Sequence, residues 1–255
     1  YETRTNAAGA FLLPRAALGL RGPANVAVDG RHAGWLDATS DLVSVAHRNR
    51  RAPQAVRLDV ALVVDTTSSM DDEVARLRTT LSAFVASLRS HPLRPLVRVG
   101  GVAYRDVGDR YVTAPFEFTS DLAAVQRRID TLDTAGGGDT PEAVQEALDV
   151  AVNRLAWGGD GTVRVLFLVG DAPPHFERGV PYTVTLRAAL ARGITIFPVA
   201  CSDMDDTGEF VWRQLAAVTM GQFLFVSYGG GTDHHTGAYL ENDLDVLMTR
   251  AVLAQ

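Results

Sequence analysis

Acidic and hydroxyl side chains crowd into one short stretch, LDVALVVDTTSSMDDE, Leu58 to Glu73. An almost wholly aliphatic run to Val64 gives way to Asp65, then to four hydroxyls, Thr66 to Ser69, and then to Asp71, Asp72 and Glu73. Carboxylates and hydroxyls are the hard oxygen donors that Mg2+ and Ca2+ prefer. Two further acids, Asp106 in GVAYRD and Asp171 in FLVGD, close other apolar runs. Three carboxylates on one edge of a sheet repel one another strongly unless a cation neutralises them. Taken singly, the same residues also suit a plainer role, with Asp65 as a helix cap and Thr67 and Ser69 in its turn.

The elements that must carry these residues alternate in type. LDVALVVD, PLVRVGGVAYRD, TVRVLFLVGD, ITIFPVACS and QFLFVS read as strands, and YVTAPFEFT as a shorter one. Helices lie between them. DDEVARLRTTLSAFVASLR places Val74, Leu77, Leu81, Phe84, Val85 and Leu88 at helical spacing behind an acidic start. SDLAAVQRRIDTL opens on a Ser cap. TPEAVQEALDVAVNRL offers Thr140 as cap, Pro141 in the first position and Glu142 in the first turn. YTVTLRAALARG closes on Gly193, and GEFVWRQLAAVTMG and ENDLDVLMTRAVLAQ read as two more helices. This alternation predicts an α/β fold, a Rossmann-like doubly wound, mostly parallel sheet flanked by helices. Ligands in such folds sit beyond the carboxyl ends of the strands, where Asp65, Asp106 and Asp171 all fall. Residues 1–50 stand apart: their runs GAFLLP, NVAVDG and HAGWLDAT are too short to bury a core alone. They read as a short β-rich N-terminal extension, with SDLVSVAHRNRRAP connecting it to a main domain over residues 56–255.

Composition excludes several chemistries. All 24 basic residues are Arg, so there is no lysine for a Walker-type phosphate site, a Schiff base or a kinase. GGGDT is therefore no phosphate loop, and no Gly-x-Ser-x-Gly occurs. Residues 1–57 hold eight Arg against four acids, whereas residues 58–255 hold sixteen against twenty-six. An acidic main domain argues against nucleic acid and suits cations. No apolar run is long enough to span a membrane, and with neither an initial Met nor a visible signal peptide, a targeting segment is expected to lie upstream or to have been removed. The single Cys201 allows no internal disulfide and reads as a buried, inert thiol. His234 and His235, in the glycine-rich YGGGTDHHTG, read as a solvent-exposed pair ahead of a transition-metal role.

Asp65, Thr67 and Ser69 form an Asp-x-Thr-x-Ser run that resembles the Asp-x-Ser-x-Ser signature of the von Willebrand factor A (vWA) family. That family's metal-ion-dependent adhesion site holds a divalent cation at the top of the sheet. Thr67 replaces the usual Ser and keeps the hydroxyl, and a loop leaving a strand can aim alternate side chains at one point. Two more elements follow in order: GGGDTPEA where the family has its second metal-binding loop, and FLVGDAPPH, which supplies Asp171. In the second loop the resemblance to the vWA domains of integrin β-subunits implies Glu142 at the central metal and Asp139 at a neighbouring cation, whereas the wider family implies Thr140. SSMDDE and GVAYRD are similar to the same integrin domains and imply adjacent cation sites at Asp72, Glu73 and Asp106. The Asn that completes one such site there has no counterpart, since Gly137 stands near its place. His175 falls on the rim where a partner would touch. The similarity covers about residues 56–255, and VVDTTSSM and DAPPH also look like bacterial vWA domains. TRTNAAGAFLLP resembles the second half of a carboxypeptidase regulatory-like β-sandwich, which makes residues 1–50 a truncated module of that kind.

The resemblance implies a protein-binding module for adhesion or assembly. It would use one divalent cation (Mg2+, Mn2+ or Ca2+), with further Ca2+ at the side sites, and a protein partner presenting an Asp or Glu carboxylate. It also implies an extracellular or periplasmic location. A Mg2+-assisted hydrolase built on the same acids is the competing expectation, weakened because His175 or an unpaired acid would have to serve as general base. A structural module with a vestigial metal site is the third.

Overall fold

The computed structural model describes residues 3–5, 10–13, 22–37, 39, 44–45, 56–92, 94–201 and 204–226. Two strands near the amino end, β1 (Ala24–Val28) and β2 (Arg31–Leu36), pair antiparallel. Asp29 (φ 50°) and Gly30 (φ 74°) turn between them with left-handed backbone, the geometry of a tight hairpin. Six strands form the main sheet: β3 (Arg57–Asp65), β4 (Leu96–Tyr104), β5 (Thr113–Thr119), β6 (Thr162–Gly170), β7 (Ile194–Ala200) and β8 (Leu224–Phe225). Their order is β5-β4-β3-β6-β7-β8, parallel throughout except for β5, which pairs antiparallel with β4 at the edge. Among the described residues five α-helices accompany it: α1 (Asp71–Ser90), α2 (Leu122–Asp130), α3 (Val144–Asn153), α4 (Tyr182–Arg192) and α5 (Asp206–Thr219).

Helices on both faces explain the continuous apolar strands. Leu58, Val60, Leu62 and Val64 of β3 enter one core with α1 and α2, while Ala61 and Val63 enter the other with α3, α4 and α5. All six apolar positions expected on α1, Val74 to Leu88, are buried. In that first core Phe84 meets Phe167 edge-on at 5.9 Å and Phe167 stacks on Phe197 at 5.5 Å. Each such ring stabilises by about 1.5–3 kcal/mol when fully buried.

Three helix starts differ from the sequence expectation. The cap of α2 is Asp121 in place of Ser120, because its carboxylate accepts from the Ala124 amide at 3.1 Å. The cap of α5 is Asp205, which accepts from the Gly208 amide at 2.7 Å. Helix α3 starts at Val144, one turn later than the Thr-Pro-Glu signal suggests. Glu142 is held instead in a parallel bridge with Pro174, its amide donating to Pro173 O at 3.0 Å, so the chain runs beside the loop after β6 before the helix begins. His234, His235 and the run ENDLDVLMTRAVLAQ lie outside the described residues.

At the amino end of the sheet one acid is buried and fully paired. Asp59 on β3 accepts from Arg98 Nε (2.9 Å) and Nη2 (2.7 Å) and from the Gly158 amide (2.7 Å). Arg164, its register neighbour on β6, turns instead to the carbonyls of Gly158, Gly159 and Arg192. Removing one partner of such a pair strands the other. We expect Asp59→Ala to lower unfolding free energy by about 2–4 kcal/mol in urea titration, with cation affinity at the far edge of the sheet unchanged.

Candidate metal centre

The chain leaves β3 towards β4 and β5 on one side and returns to β6 on the other. Loops therefore part on either side of the β3 carboxyl end and leave a crevice there. Asp65 is the last residue of β3, Asp106 lies two residues beyond β4, and Asp171 directly follows β6.

Asp65 is wholly buried. Its Oδ1 accepts from the Thr67 amide (2.9 Å) and from Thr67 Oγ1 (2.8 Å), while its Oδ2 has no partner in hydrogen-bond geometry, and the buried Tyr104 hydroxyl lies near enough to lower the pKa of the carboxyl. Thr67 Oγ1 in turn lies 3.2 Å from Ser69 Oγ, and Ser69 is exposed. Glu142, from the bridge to Pro174, is 3% exposed, and its Oε2 is likewise buried without a partner. Asp171 is buried close by. Burial first, and then neighbouring charge, raises the pKa of Asp65 and Glu142. Burial pushes Asp65 up to about 7, against the Thr67 amide bond and with help from the Asp171 charge. Burial pushes Glu142 up to about 9, with Asp65, Asp106, Asp109 and Asp171 adding to it.

The remaining expected residues are placed less centrally. Asp139 and Thr140 are exposed on the loop before Glu142. Asp72 is exposed in the first turn of α1, whereas Glu73 is buried there, near enough to Cys201 to help burial raise that thiol's pKa. Cys201 is buried and free. The Asp106 carboxylate is engaged by His175, Nε2 to Oδ1 at 2.7 Å, and His175 Nδ1 lies 3.3 Å from Glu177 Oε1.

Several residues that hold the loops carry no sequence signal of their own. Asp109 accepts from the amides of Asp106 and Gly137, both at 3.1 Å. Arg105 is buried, donates from Nε to Thr66 O (3.1 Å) and from Nη2 to Asp133 O (2.7 Å), and lies over the Tyr111 ring at 4.6 Å. Thr66 O also accepts from the Ala135 amide at 3.1 Å, and Ser68 donates from both amide and hydroxyl to Gly136 O. The loops after β3 and β4 and the loop before α3 are thus tied into one unit. Gly137, at φ 64°, fits tightly: a Cβ there would lie 2.6 Å from Thr67 Cβ and 2.8 Å from Glu142 Oε1. An Asn has no room at that position.

Two orphaned, buried carboxylate oxygens beside a hydroxyl run make an all-oxygen donor set that fits a hard divalent cation. Among the described residues no three His, Cys, Asp or Glu side chains gather into a metal-holding group, so any such site draws on the hydroxyls as well.

A doubly wound sheet with an oxygen-rich crevice at its switch point defines an α/β binding domain. The von Willebrand factor type A domain model matches residues 59–227, and the chain belongs to that family, whose domains are generally modules of protein interaction and adhesion. It is similar to an ariadne-like RING finger protein of Acanthamoeba polyphaga mimivirus, 27% identical over 68% of this chain and 18% of that protein. It is also similar to Hemicentin-1 of Mus musculus, 24% identical over 64% of this chain and 3% of that protein. The chain spans less than a fifth of the length of either relative. Among the described residues no helix is long and apolar enough to cross a membrane.

Two outcomes follow from this geometry. Gly137→Ala forces a left-handed Ala between Thr67 and Glu142, and we expect about 1–3 kcal/mol lost in urea denaturation together with weaker Mn2+ binding by calorimetry. The second concerns pH. Asp65 and Glu142 bind protons more tightly folded than unfolded, so their contribution is complete below about pH 4 and is lost as pH rises through about 7 and then about 9. In chelator, the urea midpoint should fall across that window, and fall less in Glu142→Gln.

Proposed function

We propose that this chain is a divalent-cation-dependent protein-binding module in which Asp65, Thr67, Ser69 and Glu142 hold one Mg2+, Mn2+ or Ca2+, with Asp171 acting on it through water. The observation that carries this is the pair of buried, unpartnered oxygens, Asp65 Oδ2 and Glu142 Oε2. A fold that leaves two carboxylate oxygens dry and unpaired is destabilised unless a cation or a proton joins them. A bound cation supplies a Lewis-acidic point that an Asp or Glu carboxylate of another protein can complete. The chain's own residues do the rest. Asp65 is aimed by the Thr67 amide, Gly137 lets Glu142 approach Thr67, and the Arg105 fork keeps the Thr66 carbonyl and the 133–137 loop together.

The burial of Glu142 and the exposure of Thr140 favour the carboxylate over the hydroxyl as the ligand from the second loop. Asp139 then serves a neighbouring cation, and His175 the rim. A second cation at Asp106 has to displace His175 first. Adhesive use puts the domain outside the cell or in the periplasm, with a β-rich extension over residues 1–50 ahead of a domain over residues 56–255.

Thermal unfolding with and without metal tests the reading. At a hundredfold excess over Kd, Mg2+ or Mn2+ should raise the melting temperature by about 5–10 °C in wild type and leave Asp65→Ala unmoved. Identical melting temperatures up to millimolar ion would refute it. Calorimetric titration of single variants separates the two ligand candidates. Glu142→Gln should weaken the cation by about tenfold or more, and Thr140→Ala by less than that. Metal-dependent hydrolysis of phosphate or acyl esters that vanishes in Asp171→Ala would replace the binding module with an enzyme.

A further inference from the structure

Among the described residues seven large apolar side chains are exposed, and five of them, Val107, Phe176, Val180, Val184 and Phe210, follow the carboxyl ends of β4, β6 and β7. Three fall within one short stretch after Asp171: Phe176 is 53% exposed, Val180 37% and Val184 54%. Exposed apolar groups on a slack loop mean little, but this loop is held. The buried Gln145 of α3 donates to the carbonyls of His175 and Arg178 and accepts from the Tyr182 amide at 2.6 Å. The rings of Phe176 and Tyr182 meet edge-on at 6.4 Å. The same segment is tied to the acidic cluster by the Glu142 amide bond to Pro173 O and by His175 on Asp106. The apolar ledge and the cation ligands therefore belong to one preorganised surface, which lowers the entropy lost when a partner settles on it.

We propose that Phe176, Val180 and Val184 form a docking ledge for an extended protein segment that carries one carboxylate with apolar residues beside it. This rests on the cation-dependent reading above and names the kind of partner that site takes. Chain length sets the spacing to the near end of the ledge: from Asp171 to Phe176 is at most about 18 Å, so an apolar side chain within about five residues of the acid reaches Phe176. Charge sets the rest. The rim carries exposed Asp72, Asp139 and Glu177 against Arg110 and Arg178, beside the buried acids of the cluster. A single carboxylate can be drawn to a cation there, whereas further negative charge on the partner is repelled. The occupant is an isolated acid in an apolar setting, in contrast to a polyacidic tract.

The test uses the purified 255-residue chain in Mg2+ and a phage library of random residues on both sides of a central Asp. We expect enriched clones to carry large apolar residues within about five positions of the Asp and to avoid further acids. A synthetic peptide of the enriched sequence should bind Phe176→Ser/Val180→Ser/Val184→Ser at least about tenfold more weakly by fluorescence anisotropy, although that variant takes up Mg2+ as wild type does in calorimetry. Enrichment without apolar preference, preference for polyacidic clones, equal binding by the triple variant or no enrichment would overturn the ledge while leaving the cation reading standing. Binding that survives both chelator and replacement of the central Asp by Asn would overturn the cation reading and the ledge with it. Self-association of wild type in sedimentation that the triple variant abolishes would assign the ledge to a second copy of the chain and overturn the proposal.

Discussion

Repulsion among buried carboxylates governs this domain. Asp65, Glu142 and Asp171 are all withdrawn from water at one edge of the sheet, where the Asp171 charge makes ionisation of Asp65 harder and both make that of Glu142 harder. Folding alone offers such a group a proton, a counter-charge or a ligand. The buried Arg105 nearby gives its fork to two backbone carbonyls of the loops and to the exposed Asp133 carboxylate. The loops around the acids are held by backbone bonds and fitted glycines, which keep their geometry whatever the acids' charge state. Rigidity supplied independently of charge is what allows an unbalanced cluster to persist in a folded chain.

The opposite edge handles charge the other way. Asp59 is as deeply buried as Asp65, yet its two oxygens receive an Arg98 fork and a backbone amide. Both acids lie on the same strand, six residues apart in the sequence and on opposite ends of it. One end is closed and contributes to stability, while the other is open and sacrifices some of it. Marginal stability makes that division consequential, since the two apolar cores must carry the cost of the open end. Binding surfaces in open α/β sheets rest on this asymmetry, with the scaffold below and unsatisfied chemistry above.

The sequence exposed most of this because the governing signals are local or periodic. The aliphatic run ending at Asp65 and the helical spacing of Val74 to Leu88 both read directly, and so did the alternation that gave the sheet. Where adjacent residues compete, local signals were too coarse. Ser120 and Asp121 are equally good caps, and only the bond to Ala124 decides between them. Glu142 looks like a first-turn acid because Thr-Pro-Glu is a helix-start signal, but a bridge to the distant Pro174 holds it ahead of the helix. Arg105, Asp109 and Gln145 were invisible for the same reason. Their partners lie far away in sequence or on backbone atoms, which no spacing rule reports. Gly137 could be seen to differ from the family pattern, yet the close approach of Thr67 and Glu142 that requires it appears only in three dimensions.

The strand order carries a further consequence. The cluster's oxygens come from both sides of a midpoint in the chain: Asp65, Thr67 and Ser69 precede α1, while Glu142 precedes α3 and Asp171 follows β6. The first half of the domain brings one carboxylate, and the second half brings the other two without the hydroxyls. Neither fragment assembles the crevice, because its walls are loops from strands that flank β3 on opposite sides. On the proposed cation reading, ion binding at that edge is therefore a gauge of completion. A nascent chain still emerging, or one nicked between α2 and α3, lacks a continuous set of donors.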